Sequence, residues 1–169
     1  MVDSTERRDK NAVCLAGEFA VLSQLALRNI DANMTLGHTK GVDILVSDPR
    51  TRRMYRLEVK TKLRRSGKQD HDSSIFGRFL GGWLMNKKHE TMRDPSLFYC
   101  FVIMWKPEPK SQSRFFIIPS KVVATYLRKE RRVWLAAYKK QKKQVKPNEM
   151  RTLRIGFKNV KYPIPTRQV

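Results

Sequence analysis

The chain has little with which to build a disulfide framework or a zinc site. Its 169 residues hold two cysteines, Cys14 and Cys100, both in apolar surroundings and outside any CxxC pair. Such a pattern implies a reduced, intracellular protein with both thiols buried. The three histidines, His38, His71 and His89, are scattered and make no zinc spacing. Long hydrophobic runs are missing too. The longest, Leu97–Trp105, is nine residues, far short of a bilayer span. Met1 to Lys10 is charged and has no apolar stretch, so no secretory signal is expected. These absences lead to an expectation of a cytoplasmic protein with no membrane partner.

Acidic residues are scarce as well: 15 Asp and Glu stand against 36 Lys and Arg, a formal charge of +21. That excess is uninformative about fold but points to a polyanionic partner. It is also uneven, because residues 110–169 hold 17 Lys and Arg against only Glu130 and Glu149. The acids able to do chemistry therefore lie in the first two thirds. Nucleic acid is the natural partner, since counterion release on phosphate neutralisation rewards dense Lys and Arg. A merely solvated positive surface and an acidic protein partner are the rivals. With 40% hydrophobic residues the chain fits one domain over 1–169. Its core is expected over 11–118, with a basic helix and tail over 119–169.

Residues 11–30 carry Leu15, Phe19, Leu22 and Ala26 at helical spacing, with Cys14, Val21 and Leu25 extending the apolar arc. Glu18 falls within the second stripe, where a carboxylate either enters a cleft or reaches solvent from the stripe's edge. Val42, Ile44 and Val46 alternate with Asp43, Leu45 and Ser47. Leu57 and Val59 likewise alternate with Arg56, Glu58 and Lys60. Asp48-Pro49-Arg50-Thr51-Arg52 between them is turn chemistry, so the two runs predict an antiparallel hairpin.

Residues 62–82 read as a long polar loop, either a lid or a connector, and a short helix is expected over Trp83–Glu90. Asp94-Pro95 then breaks the chain before Leu97–Trp105, whose unbroken apolar character suggests a central strand buried on both faces. Pro107 and Pro109 mark a turn, and Arg114–Ile118 reads as a strand. Ser120 is expected to cap a long helix that bears Val123, Tyr126, Leu127, Trp134 and Tyr138 and runs into Lys139–Lys146. Leu153, Ile155 and Phe157 predict a last short strand. Trp83, Trp105 and Trp134 lie in apolar patterns and are expected in the core.

A turn centred on Arg50 and Thr51 sets Asp43 opposite Glu58, with Cβ atoms about 5 Å apart on one face. Lys60, two residues on, shares that face. Two carboxylates so close repel unless a divalent cation lies between them, and hard oxygen ligands suit Mg²⁺ or Mn²⁺. Asp43, Glu58 and Lys60 are the groups a metal-assisted phosphodiester hydrolysis needs. The plainer alternative is a solvated ion-pair network, with Lys60 on Glu58 and Asp43 on Arg56.

The run Gly41-Val42-Asp43-Ile44-Leu45-Val46, followed by Leu57-Glu58-Val59-Lys60-Thr61, resembles the PD-(D/E)XK nuclease signature. That superfamily includes restriction endonucleases and Holliday-junction resolvases. Val42 stands where the usual Pro would be. The Phe115–Val123 run is also similar to small bacterial members. The resemblance implies an α/β, restriction endonuclease-like α-β-β-β-α-β core, a mixed central sheet flanked by helices, with a basic helical C-terminal extension. It implies Asp43 and Glu58 as metal ligands and Lys60 as the catalytic lysine. Glu18, on the preceding helix, would be an auxiliary ligand, and the Val59 carbonyl would join the metal shell. The implied activity is Mg²⁺-dependent DNA endonuclease, acting on double-stranded DNA and, as many relatives do, as a homodimer. The rival function is a catalytically inactive nucleic-acid-binding protein on the same fold. Lys62, Arg64, Arg65, Lys139, Lys140, Lys142 and Lys143 are the expected phosphate contacts.

Overall fold

The computed structural model of the chain describes residues 9–35, 41–64, 71–105, 113–142 and 144–156. In chain order the elements are α1 (Lys10–Ala26), β1 (Asp31–Met34), β2 (Ile44–Asp48), β3 (Arg53–Arg64), β4 (Phe79–Asn86), a 3-10 helix (Lys87–Glu90), β5 (Leu97–Trp105), β6 (Arg114–Pro119), α2 (Ser120–Lys140) and β7 (Met150–Gly156). Five strands form one sheet in the order β1-β2-β3-β5-β6, and β4 and β7 form a second. The β3–β5 pair is parallel and the other pairs are antiparallel, so this is an α/β fold on a mixed sheet.

Strand β5 explains the layering. Side chains alternate across a strand, and here both sets are apolar. Cys100 and Val102, with Leu57 and Val59 of β3, pack under Val21 and Leu25 of α1. Tyr99, Phe101 and Ile103 face the other way, onto Trp83 and Met85 of β4, Leu153 and Ile155 of β7, and Val123 and Leu127 of α2. Each fully buried aliphatic or aromatic side chain contributes about 1.5–3 kcal/mol. The expectation of a doubly buried central strand over Leu97–Trp105 is met.

Several expectations are corrected. Helix α1 stops at Ala26, and Asn29 turns the chain with φ +54°. Its buried line runs through Gly17, Val21 and Leu25, whereas Leu15 and Phe19 are exposed. Cys14 is exposed, while Cys100 is buried and its thiol is pushed up to about 12 by burial. The segment expected as a loop over 62–82 holds the end of β3 and the start of β4. The helix expected over Trp83–Glu90 is strand up to Asn86, followed by the 3-10 turn. The physical reason is alternation: Gly81, Trp83 and Met85 are buried, while Leu84 and Asn86 are exposed. The crossover between parallel β3 and β5 therefore has, among the described residues, a strand and a 3-10 turn rather than the α-helix of the expected order. Ser120 is the first helical residue and not the cap; its hydroxyl donates to the Asp94 carbonyl at 2.7 Å. Trp83 is core, Trp105 is half-buried against it, and Trp134 is half-buried on α2 with Arg131 and Tyr138 at its ring. Pro107, Pro109 and Phe157 lie outside the described residues. Among the described residues, no helix is long and apolar enough to cross a membrane.

Candidate functional site

The site begins with the place where β2 leaves β3. Asp48 organises the turn by accepting from Arg50 N at 2.9 Å and from Thr51 Oγ1 at 2.7 Å. The hairpin then pairs Asp48 with Arg53 through to Ile44 with Leu57, the register expected from a turn centred on Arg50 and Thr51. Beyond Leu57, β3 has only β5 as a ladder partner among the described residues. Asp43 sits in that notch. Its N–H still donates to Leu57 O at 2.8 Å, and its Oδ2 accepts from Val59 N at 2.6 Å. A carboxylate thus satisfies the first amide that β2 leaves unpaired.

Glu58 and Lys60 project on the face opposite Leu57 and Val59. Glu58 is 4% exposed and stands beside Tyr99 in the parallel register. Lys60 Nζ lies 2.7 Å from Glu58 Oε1, with about a third of its side chain exposed. Glu58 Oε2 is buried and makes no well-formed hydrogen bond, although the Tyr99 hydroxyl beside it interacts with the same carboxylate. Gly41, with φ +79°, passes over it: a Cβ there would lie 3.6 Å from that oxygen. Burial raises the Asp43 carboxyl above its ordinary value and Glu58 adds to this, while the Val59 N–H and Lys60 oppose it.

Glu18 arrives from α1 through Gly17. A Cβ on Gly17 would meet Thr61 Oγ1 at 1.8 Å, so helix and strand can approach this closely only with glycine there. The half-buried Glu18 that follows has its carboxyl raised, first by burial, then by Asp43, with Lys60 opposing. Helix, notch and strand therefore bring Glu18, Asp43, Glu58 and Lys60 into one electrostatic neighbourhood. One half of the plainer ion-pair reading is present, Lys60 on Glu58. The other half is not, because Arg56 pairs with Asp94 and leaves Asp43 to Val59.

Two residues not anticipated from sequence underlie Glu58. The Tyr99 hydroxyl contacts His89 Nδ1 at 2.6 Å and donates to Met92 Sδ at 3.4 Å. Burial, then the Glu58 carboxylate, raises the Tyr99 hydroxyl far above its ordinary value; burial lowers His89. The signal in sequence was Tyr99 itself, a phenol inside an otherwise apolar strand.

The expected phosphate contacts divide. Lys139, Lys140 and Lys142 are exposed at the end of α2. Lys62 is turned to the fold, donating to Gly82 O at 3.2 Å, and burial lowers its pKa. Arg64 is 8% exposed, so it too is built into the structure. Arg65 and Lys143 lie outside the described residues.

A divalent cation can be tested against these groups. The donors are hard carboxylate oxygens, and Glu58 Oε2 is buried without a well-formed hydrogen bond, with only the Tyr99 hydroxyl near it, a costly place for a carboxylate oxygen unless a cation meets it. Asp43 and Glu58 fit a Mg²⁺ or Mn²⁺ ion on that ground. Among the described residues, no three His, Cys, Asp or Glu side chains are grouped as a complete cage. The protein set is a pair of carboxylates, with Glu18 nearby. Compared with known proteins, the chain matches no family model, no curated protein and no solved structure.

Proposed function

We propose that the chain is a Mg²⁺-dependent DNA endonuclease of the PD-(D/E)XK kind, with Asp43, Glu58 and Lys60 as its centre. The observation that carries this reading is the buried Glu58 carboxylate, whose Oε2 makes no well-formed hydrogen bond and which lies beside Lys60 and Tyr99 in the electrostatic neighbourhood of Asp43. The order of α1, Asp43 at the head of β2, and the Glu58–Lys60 strand supports it. The crossover without an α-helix is a departure from the restriction endonuclease-like core.

Asp43 and Glu58 would hold the ion, with Glu18 as an auxiliary and the Val59 carbonyl as a further oxygen. When bound, the ion supplies positive charge against the scissile phosphate and favours the ionised form of a water. The Val59 N–H fixes the Asp43 carboxylate. Lys60, partly open to solvent, orients a water and stabilises charge on the phosphoryl group. Double-stranded DNA is the proposed substrate, and a homodimer acting in the cytoplasm is its proposed form.

The test is plasmid incubated with Mg²⁺ and either the parent protein or Asp43→Ala. Nicking or linearisation by the parent, lost by about 10²–10³-fold or more in the variant, is the expected result. Cutting that survives the substitution sinks the assignment. A second reading, nucleic-acid binding without catalysis, is favoured by the Lys60–Glu58 ion pair, which already neutralises one oxygen. Steeply salt-dependent binding with no cutting in Mg²⁺ or Mn²⁺ would select it.

A further inference from the structure

A groove of about 780 Å³ lies between α2, the 3-10 helix and residues 147–151. Its lining includes Lys87, Arg128, Lys129, Arg131, Arg132 and Arg151, set among the described residues against two carboxylates, Glu90 and Glu149. Both carboxylates are taken. Glu90 binds Arg151, and Glu149 pairs with Lys87 at 3.7 Å. Arg151 is itself committed, buried and donating to Asn148 O and Met150 O at 3.1 and 2.8 Å. The one carboxylate that α2 carries, Glu130, is buried and bound to Arg154.

Arg128 and Arg132 thus face the groove with no carboxylate partner among the described residues. Spaced four apart on one helix, like charges repel and cost a few tenths of a kcal/mol. Arg131 lies over the Trp134 ring at 4.6 Å, and the other neighbour of that ring is Tyr138 at 4.0 Å. The indole is therefore occupied, and it serves to hold the Arg131 guanidinium at the groove rather than to stack a base. From Thr125 to Leu135 the α2 wall is about 15 Å long at 1.5 Å per residue. That is about four nucleotide steps of one strand at 3.4 Å each.

We propose that this groove grips the phosphodiester backbone of a nucleic acid, with Arg128, Arg131 and Arg132 as the phosphate contacts. The proposal rests on the reading of the chain as one that acts on nucleic acid, but not on cleavage. The 3-10 helix separates groove and candidate centre: Lys87 and Glu90 line the groove, while His89 turns inward onto Tyr99 beside Glu58. The groove is thus a second, anchoring site, and guanidinium forks suit it to bidentate phosphate contacts.

The experiment is fluorescence anisotropy with a labelled DNA duplex of about 20 base pairs in EDTA, repeated across a NaCl series. The full chain is compared with Arg128→Ala/Arg132→Ala, with the charge-retaining Arg128→Lys/Arg132→Lys, and with Arg52→Ala/Arg53→Ala at the β2–β3 turn. The alanine pair should flatten the log–log salt slope by about 2, at 0.9 per contact, and weaken binding about tenfold or more at low salt. The lysine pair should recover most of the slope, and the turn variant should keep the parent slope. An unchanged slope in the alanine pair overturns the proposal, as does an equal fall in the turn variant, or parent protein that binds an acidic polypeptide but no DNA. Because EDTA removes cutting from the readout, an Asp43 assignment that fails in the plasmid assay leaves this result standing, and the converse also holds.

Discussion

The Val59 N–H donates to Asp43 Oδ2 at 2.6 Å, so the residue between Glu58 and Lys60 is the one that fixes Asp43. The bond exists because β2 parts from β3 at the Ile44–Leu57 pair and leaves that amide without a ladder partner. Asp43→Asn keeps an acceptor for the amide, whereas Asp43→Ala leaves a buried N–H unmet. The alanine variant should lose about 1–3 kcal/mol in urea unfolding without metal, and the asparagine variant clearly less. Equal losses would mean that the bond does not hold the notch together.

Gly17 sets how closely α1 approaches β3. Gly17→Ala places a methyl group against Thr61, whose Oγ1, Cβ and Cγ2 lie 1.8, 2.8 and 2.8 Å from the new atom. The helix must lift, carrying Glu18 with it. A loss of about 1–3 kcal/mol is expected on overpacking grounds, with partial recovery on adding Thr61→Ala. Unaltered stability on denaturant titration would contradict this packing.

Tyr99 and His89 form a buried polar pair beneath Glu58, their atoms 2.6 Å apart. Tyr99→Phe should cost about 1–3 kcal/mol by leaving the imidazole nitrogen unmet. In a double-mutant cycle, Tyr99→Phe with His89→Phe should cost less than the two single changes added together. Simple additivity would show that the pair is not coupled.

Asp94 accepts from Ser96 Oγ at 2.7 Å and from Ser96 N at 2.8 Å, and it pairs with Arg56. The Ser96 hydroxyl first, then the Ser96 amide, then Arg56 hold the carboxyl below its ordinary value of 3.8. A depressed value means that its stabilisation is present above pH 3.8 and is lost as pH falls through the lower folded-state value. Asp94→Asn should therefore lower Tm at neutral pH and show a shallower Tm decline between about pH 5 and 2. Parallel Tm–pH curves would contradict the assignment.

Part of the local geometry around Asp43, Glu58 and Lys60 was legible in the chain. The hairpin register follows from Asp48-Pro49-Arg50-Thr51, but the ladder ends at Ile44–Leu57, so Asp43 is bonded to Leu57 and Val59 rather than laddered opposite Glu58; alternation alone puts Lys60 with Glu58. Strand β5 was legible because both of its faces are apolar. The phase of α1 was not: Leu15 and Phe19 outweigh Gly17 on any hydrophobic scale, yet Gly17 is buried because it has no side chain to hold the helix off Thr61. Strand β4 was hidden by Gly77, Gly81 and Gly82, which read as loop, although Trp83 and Met85 keep period two. Lys62 and Arg64 read as free cations because burial, which for Lys62 includes a bond to the Gly82 carbonyl of the second sheet, is a tertiary fact that spacing does not carry. Strand β1, only Asp31–Met34, offers too short a pattern to find.

Whether Asp43 and Glu58 hold a divalent ion, as proposed, is tested most directly by a crystal soaked in Mn²⁺. The expected result is an anomalous peak within ligand distance of Asp43 and Glu58 Oε2, absent from an Asp43→Ala crystal treated alike. A Mn²⁺-soaked crystal with no peak there, and with Glu58 still engaged only by Lys60, would contradict it.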